Sequence, residues 1–199
     1  MQKIVIGITG ASGTVYGLRL VEELLLAQRR VTLLLTAAGR QVLEFETGLK
    51  IPEDASEALP VLRERFAAGD NLQHFSLSDF FAPIASGTSA PDATVVCPCS
   101  MGTVGRIAAG LSDNLLERVA DVALKERRQL LLVPRETPLN AIHLENLLKL
   151  SRAGAQILPA MPGFYGQPQS VEDLVDFVVG KVLDQLGVEH ALFKRWGGV

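Results

Sequence analysis

The chain has 199 residues, 48% of them hydrophobic, which is enough to bury one core, and no shift in composition marks a second domain. Its 19 basic and 22 acidic side chains give a net charge of −3, which excludes a global positive field of the kind that attracts nucleic acid or anionic lipid. No apolar run approaches the roughly 20 residues of a membrane-spanning helix and no leader cleavage site is visible, so we expect a cytoplasmic protein.

Buried strands and amphipathic helices alternate along the chain. The first unit is the strand KIVIGI at residues 3–8, a glycine-rich turn, a helix over 16–28 and a strand over 31–38. Residues 50–92, rich in Pro, Asp and Ser, show the weakest pattern. Further strands are predicted at 93–100, 129–136 and 156–162, and further helices at 101–111, 114–126, 140–154 and 170–187, the last capped by Ser170. The alternation predicts an α/β protein with a three-layer, doubly wound parallel sheet of the flavodoxin/Rossmann-like type, forming a single domain over residues 1–199.

The loops at the carboxyl ends of the strands are the place to look for a ligand site in such a sheet. Six loops qualify, and each carries glycine, hydroxyl or charged residues. They are GITGASG at 7–13, TAAGR at 36–40, ASGTSAP at 85–91, PCSMGT at 98–103, PRETP at 134–138 and PGFYGQP at 162–168.

The first glycine turn does not fit a dinucleotide. Its glycines, Gly7, Gly10 and Gly13, are spaced by three, and the second strand ends at Thr36 instead of an acidic residue. Gly10 permits close backbone approach, and Ser12 supplies a hydroxyl and an N–H just before the positive end of a helix. The turn favours a monophosphate or the edge of a flavin, and a simple strand-to-helix turn stays open as the alternative.

A second helix start and a charged loop strengthen the case for anion binding. Ser100, Gly102 and Thr103 follow a buried strand, so two hydroxyl-bearing helix N-termini are expected to form a phosphate cradle. Arg135 and Glu136 directly follow another strand at its carboxyl end, which indicates a second anion.

Several other polar residues carry less information. Arg118 and Lys125 lie on a predicted helix, where a solvated charged surface explains them equally well. His74, His143 and His190 have no metal-ligand spacing, and Cys97 and Cys99 are expected to be buried thiols. Any phosphate chemistry would therefore depend on arginine and lysine side chains without a metal.

Long motifs then carry a resemblance to a known family. Residues 7–20, 80–103, 117–187 and 194–197 resemble the UbiX-type flavin prenyltransferases, and VPRET, PGFY and RWG are the most specific parts. The resemblance covers nearly the whole chain, with residues 48–75 the least distinctive. It implies a prenyltransferase that holds reduced FMN in a flavodoxin-like fold, without a metal.

The resemblance also implies a reaction and partners. The dimethylallyl group of dimethylallyl phosphate is joined to N5 and C6 of FMN, and the prenylated FMN goes to a UbiD-type decarboxylase, with ubiquinone biosynthesis as the associated pathway. Family members form large homo-oligomers, often homododecamers, whose active sites are completed by neighbouring subunits. The choice between a monophosphate and a diphosphate donor stays open.

Individual residues take roles from the same resemblance. FMN is expected against Gly10, Ala11, Ser12, Thr36, Ser100, Met101, Gly102, Thr103 and Arg135. The prenyl phosphate is expected against Ser86, Gly87, Arg118, Lys125, Arg135, Glu136, Tyr165, Lys181 and Trp196, the last on a C-terminal tail, residues 186–199, that closes over the site. Catalytic roles fall to Ser12, Glu46, Glu136, Lys125, Arg118 and Tyr165.

The chemistry of an allylic carbon–oxygen bond is consistent with these roles, because its cleavage develops positive charge on the prenyl group and negative charge on the phosphate. Arg118, Lys125 and Lys181 stabilise the anion, Glu136 delivers a proton to it, and Tyr165 donates a hydrogen bond. Aromatic faces, Phe80 and Trp196, shelter the cation. Proton handling at C6 falls to Ser12 and Glu46.

Four positions depart from the family pattern. Thr36 stands where many members have serine, and Ala37 where a lysine is common, which bears on affinity for the FMN phosphate. Lys181 stands where some relatives have arginine, so a compact ammonium group replaces a guanidinium that can form two parallel hydrogen bonds. Phe80 stands at a position that can be tryptophan in the family.

The sequence argues against three alternative functions. An FMN-dependent cysteine decarboxylase needs an active-site histidine and an asparagine motif that this sequence does not show. Direct decarboxylation of an aromatic acid needs an electron sink that unmodified FMN does not readily supply. A non-catalytic flavin carrier has no need of Glu136 among arginines and lysines.

Overall fold

Six parallel strands form one sheet in the order β3-β2-β1-β4-β5-β6 in the computed structural model, which describes residues 1–195. The strands are β1 (Lys3–Ile8), β2 (Arg30–Leu35), β3 (Leu72–His74), β4 (Ala93–Cys99), β5 (Gln129–Pro134) and β6 (Gln156–Ile157). The chain progresses outward in one direction from β1 to β3 and in the other from β4 to β6, so the strand order reverses between β1 and β4. Open α/β sheets bind ligands at this switch point, and the predicted doubly wound fold class is confirmed.

Helices cover both faces of the sheet, which makes the three layers. They are α1 (Thr14–Leu26), α2 (Ala37–Thr47), α3 (Ala55–Arg65), α4 (Met101–Ala108), α5 (Leu115–Lys125), α6 (Ala141–Arg152) and α7 (Val171–Leu186). Two short 3₁₀ turns, Pro83–Ala85 and Gly87–Ser89, precede β4. None of the helices within residues 1–195 is both long enough and apolar enough to cross a bilayer.

The structure differs from the predicted elements in three places. The second strand ends at Leu35 because the Thr36 hydroxyl accepts a hydrogen bond from the Gly39 amide at 2.9 Å and starts α2. The indistinct region 50–92 contains both α3 and β3. The strand predicted over 156–162 consists of Gln156–Ile157 alone. The cap at Ser170 is present as predicted, with Asp173 completing a capping box.

The core lies on both faces of the central strands. Ile4, Ile6 and Ile8 point into the cluster shared with α1, α3 and α7, whereas Val5 points into the cluster shared with α4 and α5. Gly7 lies on the second face, and a Cβ at this position would be 2.5 Å from Cδ1 of Leu116. The first glycine of the turn motif therefore serves the packing of α5 on β1.

Candidate active site

The turn after β1 and the start of α2 lie against each other at the carboxyl edge of the sheet. A Cβ on Gly10 would be 2.7 Å from the Cβ of Ala38, so any side chain at position 10 would push α2 away. Glycine at position 10 therefore allows the turn after β1 to pack closely against α2. Gly10, Ser12 and Ala37 are solvent-exposed at this edge, and Ala11 is buried beneath them.

The carboxylate of Glu46 caps the N-terminus of α1. Its oxygens accept hydrogen bonds from the Gly13 amide at 2.9 and 3.1 Å, the Thr14 amide at 2.8 Å and the Thr14 hydroxyl at 2.6 Å. Partial burial acts to raise the pKa of Glu46, but hydrogen bonds from the Ser12 and Thr14 hydroxyls and from the two amides outweigh it and lower the pKa. Glu46 is thus an ionised group that joins the end of α2 to the glycine turn.

This contact changes one expectation about the phosphate cradle. The sequence predicted that the N-termini of α1 and α4 together hold an anion, but the positive end of α1 is already neutralised by Glu46. A second anion at the same amides would be repelled by that carboxylate. The helix ends left for an anion at this edge are those of α2, capped by Thr36, and α4, capped by Ser100.

The start of α4 is held by a chain of hydroxyl hydrogen bonds. Ser100 Oγ accepts from the Thr103 amide at 3.2 Å and lies 3.0 Å from the Thr103 hydroxyl. The Ser100 amide donates to the buried Thr9 hydroxyl at 2.8 Å, and that hydroxyl donates to the Pro98 carbonyl at 2.9 Å. Thr9 therefore ties the end of β1 to the end of β4, a role that the sequence analysis missed although Thr9 lies inside the glycine motif.

Arg135 brings a cation to the same edge. Its Nε donates to the Ser12 carbonyl oxygen at 3.2 Å, and its amide donates to the Cys99 carbonyl at 3.3 Å. Glu136 is exposed beside it and accepts a hydrogen bond from the Thr137 amide at 3.0 Å through Oε1. Arg135, Ser12 and Ser100 thus meet around the end of β4, as the resemblance implied.

The groups at this edge fit FMN. The amides at residues 11–12, 37–38 and 101–102 donate to no acceptor in the described part of the chain, and Arg135 adds a fixed positive charge. Free amides at helix starts together with a guanidinium suit a phosphate. Gly102 leaves open space, since the nearest atom to a Cβ there would be Ser100 Oγ at 3.9 Å.

A second group of predicted site residues lies together elsewhere. Arg118 Nε donates to the Ala85 carbonyl at 3.1 Å, and a Cβ on Gly87 would be 2.9 Å from Nζ of Lys125. Ser86 is exposed between them, with its hydroxyl 2.9 Å from that of Thr88. Ser86, Gly87, Arg118 and Lys125, here called the α5 cluster, are therefore brought together by the chain.

The α5 cluster and Arg135 lie at opposite ends of the sheet. Helix α5 runs against the strand direction, and its last residue, Lys125, leads into the amino end of β5 at Gln129. Arg135 follows the carboxyl end of the same six-residue strand, which spans roughly 20 Å at about 3.3 Å per residue. Within one chain, the structure does not unite the residues that the resemblance assigns to a single prenyl phosphate site.

The remaining predicted residues lie near α7. The Tyr165 ring packs edge-on against Phe177 with centroids 5.6 Å apart, and Lys181 Nζ lies 3.8 Å from Asp184 Oδ2. Phe80 is 44% exposed in the loop before β4. Trp196 lies outside the described residues. Phe177 and Asp184 were not singled out by the sequence analysis, although both stand on the same face of α7 as Lys181, at spacings of four and three residues.

Known proteins are similar to this chain over nearly its whole length. Residues 1–183 match the family model described as flavoprotein. Over 193 residues the chain is 58% identical to the flavin prenyltransferase UbiX of Halalkalibacterium halodurans, which covers 96% of this chain and 92% of that protein. The crystal structure of AnUbiX (PadA1) in complex with FMN and dimethylallyl pyrophosphate is similar with a TM-score of 0.88 and 37% identity, covering 100% of this chain and 98% of the other. A dodecameric FMN-dependent Ubix-like decarboxylase from Escherichia coli O157:H7 is similar with a TM-score of 0.86 and 40% identity, covering 99% and 100%.

The family model matches residues 1–183, and the 58% identity to a protein named flavin prenyltransferase extends over 96% of the chain. The chain therefore belongs to the flavoprotein family and, within it, to the flavin prenyltransferases of the UbiX type.

Proposed function

We propose that this protein joins the dimethylallyl group of dimethylallyl phosphate to N5 and C6 of reduced FMN, and that the prenylated FMN serves a UbiD-type decarboxylase. The proposal rests on the groups at the carboxyl edge of the sheet. Free backbone amides and Arg135 there fit FMN, and Ser12 and Glu46 lie at the same edge. The chain is also 58% and 52% identical, over nearly its whole length, to two proteins named flavin prenyltransferase, which supports the proposal. We place the protein in the cytoplasm, where its two buried cysteines, Cys97 and Cys99, remain free thiols.

The FMN site in this proposal uses three backbone segments and one cation. Gly10–Ser12, Ser100–Thr103 and Thr36 at the α2 start would hold FMN, together with Arg135, whose Nε donates to the Ser12 carbonyl oxygen. When bound, reduced FMN supplies the N5 and C6 atoms that accept the prenyl group. The chain's own residues orient it and handle protons and charge.

Ser12 and Glu46 fit the removal of a proton from C6. The Ser12 hydroxyl is among the groups that lower the pKa of Glu46, and in this proposal its oxygen accepts the proton from C6 while its own proton passes to the Glu46 carboxylate. The low pKa of Glu46 keeps this acceptor ionised at neutral pH. Glu46 is solvent-exposed as a residue, which lets the proton pass on to water.

The departing phosphate requires cations and a proton. The resemblance assigns Glu136, Tyr165 and Lys181 to this phosphate. It also assigns Arg118 and Lys125 to it, and these two belong to the α5 cluster at the other end of the sheet from Arg135. Arg118 already has a counterion in Asp121 at 2.9 Å, and Lys125 pairs with Glu126. We therefore propose that the α5 cluster of one subunit completes the site of a neighbour in a homo-oligomer, which we take to be a dodecamer like the similar protein from E. coli O157:H7.

The test is anaerobic incubation of the purified protein with reduced FMN and dimethylallyl phosphate or diphosphate in separate arms, followed by mass spectrometry of the released flavin. We expect a flavin heavier by one five-carbon unit with at least one donor. An unmodified flavin from protein shown to bind both ligands would refute the proposal. A parallel arm with an aromatic acid and FMN alone, monitored for carbon dioxide, tests direct decarboxylation, and we expect no product there.

A further inference from the structure

The segment after α7 is anchored to the helix by one carboxylate. Oδ1 of Asp184 lies 2.7 Å from Nη2 of Arg195 and 3.2 Å from Nε2 of His190, and Oδ2 lies 3.3 Å from Nη1 of Arg195. Oδ2 is also 3.8 Å from Nζ of Lys181. Asp184 thus joins two residues of the C-terminal segment, residues 188–195, to a lysine that the proposed function places at the prenyl phosphate.

The turn inside this segment is fixed by His190. Its side chain is 1% exposed, and its Nδ1 accepts a hydrogen bond from the Leu192 amide at 3.3 Å. Because Nδ1 accepts, Nε2 carries the proton and donates to Asp184. A buried imidazole therefore connects the helix carboxylate to the backbone that leads to Phe193.

Aromatic contacts continue from the segment to Tyr165. The rings of Phe193 and Phe177 are 5.1 Å apart between centroids, and Phe177 packs edge-on against Tyr165 at 5.6 Å and 80°. The segment lies directly on the α7 backbone, since a Cβ on Gly180 would be 2.4 Å from Cε1 of Phe193. A series of contacts thus runs from Asp184 to His190, whose ring centroid lies 5.2 Å from that of Phe193, and from Phe193 through Phe177 to Tyr165.

We propose that Asp184 and Phe193 are positioning residues for the prenyl donor. Asp184 seats the C-terminal segment and restrains Lys181, and Phe193 supports Phe177, which in turn fixes the ring of Tyr165. Neither residue touches the donor in this inference, and both act through Tyr165 and Lys181. The inference rests on the proposed function, but the seating of the segment is measurable without any reaction.

The first experiment measures that seating in the full-length protein. Asp184→Asn keeps the side-chain shape and removes its charge, Phe193→Leu removes the ring contacts, and Glu189→Gln changes an exposed carboxylate of the same segment as the matched control. We expect trypsin to cleave after Lys194 and Arg195 about threefold to tenfold faster in the two test variants than in wild type, and at the wild-type rate in the control. Intact-mass spectrometry follows the cleavage. An unchanged rate in both test variants would overturn the anchor.

The second experiment measures binding and turnover of the same variants. FMN affinity is expected to stay at the wild-type value, which also shows that the variants fold, whereas KM for dimethylallyl phosphate rises about threefold to tenfold and kcat changes by less than about twofold. Asp184→Glu, which retains the charge, is expected to restore most of the donor affinity. A loosened segment with an unchanged KM would refute the positioning role. An inactive wild-type protein would refute the proposed function instead. The trypsin cleavage rates would still show whether Asp184 and Phe193 hold the C-terminal segment on α7.

Discussion

Arg135 Nε donates to the carbonyl oxygen of Ser12 at 3.2 Å, across 123 positions of sequence. Strand β4 lies between β1 and β5, so this hydrogen bond passes over the end of β4 and the start of α4. It places one guanidinium at the carboxyl edge of the sheet, where the strand order reverses. The bond therefore fixes both the shape of the glycine turn and the charge of the FMN site.

Replacing Arg135 by alanine is expected to weaken FMN binding. The change removes the cation and frees the Ser12 carbonyl, and the loss of one charge-assisted hydrogen bond predicts a Kd about tenfold to a hundredfold higher. Titration of FMN monitored by flavin fluorescence gives the Kd. Arg152→Ala, at an exposed arginine in the last turn of α6, is the control and should bind like wild type. Equal affinities for the two variants would remove Arg135 from the FMN site.

Glu46→Gln is expected to lower thermal stability in a pH-dependent way. The folded-state pKa of Glu46 lies below its ordinary value of 4.5, so the carboxylate stabilises the folded protein above that value and loses this contribution as the pH falls through the folded pKa. By analogy with other helix caps the loss is about 1 kcal/mol, which for a chain of this size lowers Tm by about 2–4 °C at neutral pH.

The comparison with Glu44→Gln isolates the cap, because Glu44 is an exposed carboxylate on the same helix. Scanning fluorimetry of both variants between about pH 3.5 and about pH 7 should show a gap between them that closes toward acid. A Tm difference that stays constant over this range would mean that the charge of Glu46 does not stabilise the N-terminus of α1.

The strands and most helices were predictable from local pattern alone. Strands β1 and β4 are short apolar runs buried on both faces, a pattern that a parallel sheet imposes on its central strands. Helix α3 escaped prediction because it buries only Ala58 and Leu62 and contains Pro60, so its periodicity is weak. Strand β3 has three residues, too few to show an alternation.

The site was predictable only where residues follow strands directly. Ser100 and Arg135 directly follow a strand and Ser12 lies four residues beyond one, so topology alone brings them to one edge. The contact of Glu46 with Gly13 spans 33 positions and depends on the length and direction of α2, which no local pattern specified. The position of Lys125 could have been inferred, because a helix that leads into a parallel strand must end at the amino edge of the sheet.

Ser12→Ala is expected to stop the reaction after its first bond. The variant keeps the Ser12 carbonyl for Arg135 and the backbone amide for FMN, but it removes the hydroxyl that links C6 to Glu46 in the proposed proton transfer. Quenched anaerobic reactions analysed by mass spectrometry and absorbance should show a singly attached prenyl group on flavin. A normal yield of the ring-closed product would contradict this role, and Ser151→Ala, at an exposed serine of α6, serves as the control.

Glu136→Gln is expected to slow prenyl transfer and leave FMN binding unchanged. Glu136 Oε1 accepts from the Thr137 amide, and glutamine preserves this contact while it cannot deliver the proton that the leaving phosphate needs. General acid catalysis typically contributes about a hundredfold or more, so we expect a comparable fall in the single-turnover rate. Glu145→Gln, at an exposed carboxylate on α6, should keep the wild-type rate. An unchanged rate in Glu136→Gln would exclude it as the acid.

Mixed oligomers test whether the α5 cluster serves a neighbouring subunit. Arg135→Ala damages the carboxyl edge and Lys125→Met damages the α5 cluster, and the two residues lie at opposite ends of β5 in one chain. If each site takes its edge from one subunit and its α5 cluster from another, a random equal mixture contains about one quarter of sites with both parts intact. Co-expression with two different tags, purification over both and prenylation assays at saturating FMN give the measurement.

The expected result is activity well above that of either parent variant prepared in the same way. If Arg135 and Lys125 acted in the same chain's site, no site in the mixture would contain both residues, and activity would stay at the parental level. Single-tag preparations of each variant control for the tags and for residual activity. A mixture that forms the wild-type oligomer but gains no activity would therefore refute completion by a neighbour, since subunit exchange and assembly would have succeeded without restoring a site.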